Sequence, residues 1–279
     1  MLTAEQRDQF ERIGLVKMPR AIEQSAAEEM LRSVWEALRE RYHIHREAPD
    51  TWPEPDASGD LAVEQIGGAH RFLGAHHLPK SVTFEQVGNA AVRGAVDDLL
   101  GRGNWQQPER WGSLLVTFPE SRGRWDVPCS NWHLDFPAKR SDPALIGVRI
   151  FTCLAKLPEG GGGTVFAAGS HRLVRELARK SEKLSSAEAR KGLIRTYPWV
   201  KSLCSRDEKA DRVRQFMSKA TMPGGIEVRV VELTGEAGDV WLAHPQTLHA
   251  PVANCSTVPR MVVQGTVFRA GVEPFKAYP

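Results

Sequence analysis

Cysteine is scarce in this 279-residue chain: Cys129, Cys153, Cys204 and Cys255 stand far apart and form no Cys-x-x-Cys pair. A chain of this length does not depend on disulfide staples, so all four are expected as reduced thiols. Long apolar runs are missing too, and no segment approaches a membrane span. The residues after Met1, Leu2-Thr3-Ala4-Glu5-Gln6-Arg7, have neither the charged start nor the apolar centre of a signal peptide, so a cytoplasmic protein is expected. An excess of one charge is absent as well. A formal net charge of +3 is too small for nucleic-acid binding as a property of the whole protein. What remains, 41% hydrophobic and 25% charged residues, fits a soluble globular chain able to bury a sizeable core.

The charge that is present is unevenly spread. From Arg172 to Lys219 there are 14 Lys plus Arg against 6 Asp plus Glu, a local net of +8 in a chain whose total is +3. Such a stretch is either a solvated helix surface or a basic lid that draws an anionic substrate to a site.

Helices come first along the chain. Thr3 and Gln6 have capping-box spacing and Gly14 supplies a stop, which predicts one short helix. Leu15 to Pro19 reads as a brief strand. Ala27, Met30, Leu31, Val34 and Leu38 recur at helical spacing between Ala21 and Tyr42. Residues 43–80 hold five of the nine histidines, including His70 and the pair His76-His77, without periodicity, and are expected as loops walling a pocket. Thr83 to Gln86 repeats the capping-box pattern and predicts a third helix ending near Gly101. Strand-like segments follow at 113–118, 147–157, 163–166, 227–233, 239–243 and 261–268, interrupted by a helical insert. Helices followed by strands predict an α+β protein whose sheet closes as a sandwich or barrel. Gly160 to Gly163 lacks the following Lys-Ser/Thr of a phosphate cradle and is expected to be a turn.

Two segments carry the chemistry. In Asn131-Trp132-His133-Leu134-Asp135-Phe136-Pro137, strand alternation would turn His133 and Asp135 to one face, with Leu134 behind. An imidazole and a carboxylate so placed make two thirds of the 2-His-1-carboxylate triad of non-haem iron(II) sites. The second segment, Gly238 to Pro251, carries His244 and His249, of which one is expected to meet a metal, since they are five apart with Pro245 between. Asn254, Ser256 and Pro259 mark a turn before Arg260. A hairpin there would bring Arg260 beside a metal held by His249, where a guanidinium can grip a carboxylate.

With these residues the chain resembles the phytanoyl-CoA dioxygenase-like family of iron(II)- and 2-oxoglutarate-dependent oxygenases, whose pattern is His-x-Asp, a distal His and an Arg about eleven residues on. Further matches are Gly14-Leu15-Val16, Gly169-Ser170-His171, Gly238-Asp239 and the Asn254, Ser256, Arg260 series. The resemblance implies a double-stranded β-helix, a jelly-roll or cupin-like barrel with flanking helices. Residues 1–279 would form a single oxygenase domain, with 1–110 a mainly helical flank with substrate-side loops, 111–279 the jelly-roll core, and a helical insert at about 171–226. His133, Asp135 and His249 become the Fe(II) ligands and Arg260 the anchor for the distal carboxylate of 2-oxoglutarate. The serine or threonine that some members carry two residues after the distal His is Pro251 here, so Thr164 or Thr152 is expected to substitute. His171 is expected to organise its loop.

The implied reaction uses O2 and 2-oxoglutarate, with ascorbate as a stimulant, to hydroxylate or otherwise oxidise a C–H bond of a small to medium-sized substrate, expected to bear an anionic group, releasing succinate and CO2. The retained Asp135 disfavours halogenation, which needs a small residue there. Ligation needs neutral imidazoles, so activity is expected to fall in acid as the histidines protonate. Two other readings use the same residues: a zinc hydrolase with an activated water, and a non-catalytic jelly-roll binding module. Trp52, Trp125, Phe136, Trp199 and the basic insert are candidate substrate contacts, and the oligomeric state is open.

Overall fold

The computed structural model describes residues 1–66, 69–78, 82–120, 124–139, 144–181, 183–207 and 211–272. Helix α1 (Ala4–Ile13) opens on the predicted capping box: Gln6 N donates to Thr3 Oγ1 at 3.2 Å and Thr3 N to Gln6 Oε1 at 2.9 Å. It stops at Gly14, whose φ of +75° suits glycine. A Cβ there would also lie 2.7 Å from both His171 Nδ1 and Thr247 Oγ1, so close approach is a second reason for the residue. Strand β1 (Leu15–Met18) follows, then α2 (Gln24–Tyr42), which buries Ala26, Ala27, Met30, Val34 and Leu38 at the expected spacing. A hairpin of β2 (Val63–Ile66) and β3 (Ala69–Phe72) lies within the stretch read as loop.

The third helix starts later than its capping pattern predicts. Val82–Gly88 is a 3-10 segment, and α3 (Ala90–Leu100) begins where the Asn89 side chain accepts from Val92 N at 3.0 Å. Asn89 is the stronger cap because Gly88, packed against the Trp111 ring where a Cβ would intrude, breaks the path from Thr83.

The strands then come in quick succession: β4 (Ser113–Thr117), β5 (Ala138–Lys139), β6 (Gly147–Cys153), β7 (Val165–Ala168), β8 (Lys183–Leu184), β9 (Ala220–Met222), β10 (Ile226–Glu232), β11 (Val240–Ala243), β12 (His249–Ala250) and β13 (Arg260–Phe268). One antiparallel sheet has the order β1-β11-β6-β13-β4 and the other β12-β7-β10-β9. From β10 on, each connection crosses the sandwich: β10 and β12 lie in the small sheet, β11 and β13 in the large one. This is the expected α+β jelly-roll architecture.

Residue alternation sorts the apolar side chains into three buried layers. On β6, β11 and β7, Phe151, Trp241, Ala243, Phe166 and Ala168 point between the sheets, where Phe151 and Phe166 meet edge-on at 5.7 Å. Val148, Ile150, Val240 and Leu242 point outward from the large sheet into the layer shared with Met30, Val34 and Leu38 of α2. Val165, Ala167, Val228 and Val230 of the small sheet pack outward against the insert. Strands buried on both faces explain why the sequence shows nearly continuous apolar runs there rather than clean alternation.

The insert is a packed layer, made of α4 (Ser170–Ala178), α5 (Ser186–Thr196), α6 (Pro198–Leu203) and α7 (Arg212–Met217). Leu173, Val174, Leu193, Val200, Leu203 and Phe216 anchor it to the small sheet. Two of its basic residues hold backbone. Arg212 is buried and donates to the carbonyls of Val127 at 2.8 Å, Pro128 at 2.9 Å, Leu203 at 2.7 Å and Ser205 at 3.0 Å. Arg190 Nε donates to the Trp132 carbonyl at 2.6 Å, and β8 pairs with β5 just after the His133 segment. The insert therefore braces the chain on either side of His133. Among the described residues no helix is long and apolar enough to cross a membrane. Arg212→Ala strips a buried set of charge-assisted donors and should lower stability by about 3 kcal/mol. Denaturant unfolding measures this, and an unchanged midpoint would mean that the clamp carries no stability.

Candidate metal centre

His133 lies outside any strand, contrary to the expectation from its alternating neighbours: Asn131 has a φ of +57° and only His133 itself is bridged. That bridge is to His249. His133 N donates to the His249 carbonyl at 2.9 Å and His249 N to the His133 carbonyl at 3.0 Å. Residues that exchange both bonds of an antiparallel pair turn their side chains to the same side, and the two rings sit 4.2 Å apart. Asp135, two residues on, joins them: His133 Nε2 is 3.7 Å from Asp135 Oδ1 and His249 Nε2 is 3.4 Å from Asp135 Oδ2. One donor atom from each of the three lies within 4.8 Å of the others. His249 is held further by stacking on Phe166, its partner on β7, at 5.2 Å and 20°.

Both rings have their outer nitrogen occupied. His133 Nδ1 faces the Asn131 carbonyl at 2.7 Å and His249 Nδ1 the Thr247 carbonyl at 3.0 Å. A carbonyl only accepts, so Nδ1 carries the proton in each neutral ring and the Nε2 lone pair is turned to Asp135. Burial holds His249 well below the usual histidine pKa and lowers that of His133 in the same direction. Both rings are thereby biased toward the neutral form that ligation needs. The His133 side chain is 46% exposed and that of His249 5%, so the cluster opens to solvent on the His133 side.

The donor set fits a divalent transition metal, which two imidazoles and a carboxylate bind while leaving positions open. The three donor atoms, all within 4.8 Å of one another, lie near enough for a single ion to reach them all. A cation already contacts the cluster: the Arg149 guanidinium touches Asp135 Oδ2 and lies 2.7 Å from His249 Nε2. The place between these two ligands is thus one that takes positive charge.

The cluster forms one wall of a cavity of about 310 Å³. Deeper in it Arg260 begins β13 opposite Thr117 of β4, fully buried, with Nη2 donating to Thr164 Oγ1 at 3.0 Å and Nε without a partner. Asn254 sets its entry, since its side-chain amide donates to the carbonyls of Thr117 at 3.1 Å and Val258 at 2.8 Å. Burial pulls the Arg260 guanidinium down to about 10, still cationic at neutral pH. Thr164 is on the cavity wall, as is Pro251. Thr152 is not: it alternates with Arg149 and Phe151 on β6 and so faces the outer layer, its hydroxyl buried without a partner. The expectation for Thr152 is corrected by that parity.

Residues 10–262 match the phytanoyl-CoA dioxygenase (PhyH) family. The chain belongs to that family. It is by membership an iron- and 2-oxoglutarate-dependent dioxygenase. No curated protein matches it in sequence. Among solved structures it is similar to the epimerase SnoN, determined with Fe3+, α-ketoglutarate and nogalamycin RO, at 18% identity and a TM-score of 0.53 over 95% of this chain and 83% of that one. It is also similar to the non-haem α-ketoglutarate-dependent carbocyclase SnoK from nogalamycin biosynthesis, at 18% identity and 0.55 over 96% and 85%. HygX from Streptomyces hygroscopicus, determined with nickel and 2-oxoglutarate, follows at 14% identity and 0.51 over 98% and 90%. At these identities the likeness is one of fold.

Several cavity residues of this PhyH-family chain escape sequence reading. Arg149, Arg71, Thr117, Gln264 and Thr266 all line it. A signal for Arg149 existed, a lone charge inside the otherwise apolar run Gly147 to Cys153, since a strand buried on both faces tolerates a charge only where it meets a partner or a ligand. The aromatic candidates are elsewhere: Trp52 packs on Trp35 and Phe118, Trp199 on Phe216, Phe136 on Phe268, and Trp125 against the insert layer. From residues 43–80 the wall receives Ala69 and Arg71, while His70 pairs with Glu120 at 2.9 Å and the side chains of His76 and His77 lie outside the described set. His244 sits away from the cluster beside His171, rings 4.6 Å apart. His171 Nε2 donates to the Glu11 carbonyl at 3.0 Å, tying α4 to α1, and burial takes its pKa to about 4.

The glycine run Gly160 to Gly163 is a close-packed turn. A Cβ at Gly163 would run into the Leu233 carbonyl, and Gly160 N donates to Glu232 Oε2 at 2.9 Å. Burial pushes the Glu232 carboxyl up to about 7 against this bond. Because its usual value is 4.5, the stabilising protonated form is complete below pH 4.5 and its contribution, about 3 kcal/mol, is lost as pH rises through 7. Glu232→Gln, which keeps an acceptor for Gly160, should flatten the stability profile between pH 5 and 8 and exceed the parent above pH 7. Unfolding curves across that range check it, and parallel profiles would place the pH dependence in other groups.

Proposed function

We propose that the chain is a non-haem Fe(II)- and 2-oxoglutarate-dependent dioxygenase that uses O2 to hydroxylate, or otherwise oxidise, a C–H bond of a small to medium-sized substrate carrying an anionic group. Succinate and CO2 are the co-products. One observation carries the reading: three potential ligands within 4.8 Å share a cavity with a buried arginine that has a donor to spare.

In this reading His133, Asp135 and His249 hold the iron, which when bound supplies the oxidising power together with O2. The Asn131 and Thr247 carbonyls aim the two imidazoles. Arg260 and Thr164 take the distal carboxylate of 2-oxoglutarate. Thr164 lies two residues before Phe166, the partner of His249, which sets the anchor roughly 7 Å along β7 from the ligands. That is the reach of a five-carbon diacid whose other end chelates a metal. Pro251 keeps an apolar surface beside His249, and Phe151 and Phe166 exclude water behind the ligands. Residues 1–279 act as a single oxygenase domain. A zinc hydrolase on the same three ligands would leave Arg260 buried without a task, and a binding module would have no use for a metal beside it.

Succinate release from 2-oxoglutarate in the presence of iron(II) and ascorbate tests the reading. His133→Ala and Asp135→Ala should each abolish it, and turnover retained in either would remove the triad. Arg260→Ala should raise the KM for 2-oxoglutarate by roughly 10- to 100-fold, the range expected for lost charge-assisted hydrogen bonds, with little change in substrate KM. An unchanged 2-oxoglutarate KM would move the anchor elsewhere.

A further inference from the structure

In the reading above, the stretch from His133 to Pro137 carries two of the three ligands, yet no strand ladder fixes it. Trp132, Leu134 and Phe136 are buried, which settles the face that His133 and Asp135 present. Apolar packing is non-directional, so burial does not set how far Asp135 stands from His249. Hydrogen bonds on either side of Asp135 do. Two residues before it lies the backbone bridge between His133 and His249. Two residues after it, the Pro137 carbonyl accepts from Gln246 Nε2 at 2.6 Å. Gln246 is three residues before His249, so this second bond joins the same two segments as the bridge. Asp135 is the midpoint of one side of a closed ring, which runs from His133 to Pro137, across the Gln246 side chain, and on to His249.

Gln246 is itself held by the other histidine of its segment. His244 Nδ1 accepts from Gln246 N at 3.2 Å, and the His244 carbonyl accepts from Thr247 N at 2.9 Å. Thr247 in turn supplies the carbonyl that meets His249 Nδ1. His244 N donates to the Gly14 carbonyl at 2.8 Å, and its ring lies against those of His171 and Phe10. A nitrogen that accepts must be unprotonated, and burial, which holds His244 well below the usual histidine pKa, keeps it so. A side chain on a turn fixed in this way has less freedom to lose when it donates.

We propose that Gln246 is a positioning residue of the metal centre, whose bond to the Pro137 carbonyl holds Asp135 within reach of an ion shared with His133 and His249. The inference rests on the metal-centre reading given above. Asp135 has a competing partner, since its carboxylate also touches the Arg149 guanidinium. A segment tethered at both ends keeps the carboxylate turned to both imidazoles, whereas one tethered only at His133 is free to follow Arg149. Groups that orient ligands from outside the coordination sphere act in this way, and loss of one weakens metal binding by about 10- to 100-fold.

Calorimetric titration of the metal-free protein with nickel(II), which the same donor set binds, tests the role beside denaturant unfolding of the metal-free protein. Gln246→Met keeps the length of the side chain and removes the donor. Gln246→Glu sets an acceptor against the Pro137 carbonyl. Each is expected to weaken nickel binding roughly tenfold, while the metal-free protein unfolds close to the parent's midpoint because Gln246 is only partly buried. Nickel bound by both variants as by the parent overturns the inference and leaves the metal centre standing. A loss confined to Gln246→Glu also overturns it, since repulsion rather than the missing bond would be the cause. Nickel affinity and metal-free stability falling together in both variants overturns it as well, by making the bond a structural one. A parent protein that binds no nickel overturns the metal centre and the inference together.

Discussion

The two backbone hydrogen bonds exchanged by His133 and His249 hold the centre together. They join a short irregular segment to the edge of the small sheet across 116 positions of sequence, and they do so at the one residue pair where pairing also sets two imidazoles side by side. The surrounding architecture serves this pairing. Phe166 fixes His249 from the sheet side, Arg190 and Arg212 hold carbonyls of the chain leading into His133, and β8 grips the chain just beyond Asp135. The basic insert, whose charge is read in the sequence as either a solvated helix surface or a lid, contributes two cations as braces of the His133 segment.

The second constraint is electrostatic. A jelly-roll interior is apolar by construction, and in this one Phe151, Phe166 and Val262 give way around the cavity to Asp135, Arg149, Arg260 and Thr164. Asp135 meets the Arg149 guanidinium there, and Arg71 and Arg260 line the same cavity, where the low dielectric strengthens every interaction between charges. Burial acts on the histidines in the same sense, keeping their lone pairs available below the pH at which free imidazole protonates.

Much of this is legible before folding. The capping box of α1, the apolar stripe of α2, the strands and the helical insert follow from local chemistry, and His133, Asp135, His249 and Arg260 converge as their residue types and spacing suggest. What is not legible depends on tertiary choice. His133 has strand-like neighbours but lies outside a strand, because one bridge suffices to place it. Thr83 has a capping pattern, yet Asn89 caps the helix because Gly88 must lie against Trp111. Thr152 and Thr164 are equal in sequence and differ only in the parity of their strands. Arg71 reaches the cavity through a hairpin within a stretch whose sequence shows no period, and Trp52 and Trp199, tempting as substrate contacts, are absorbed by core packing.

The most direct measurement is an anomalous-scattering map of crystals of the protein soaked in nickel(II) and 2-oxoglutarate. One strong peak bonded to His133 Nε2, Asp135 and His249 Nε2, with the Arg149 guanidinium withdrawn from between Asp135 and His249, is the predicted result. No peak at that place, with Arg149 still bridging the two side chains, would contradict the assignment of this cluster as a metal centre.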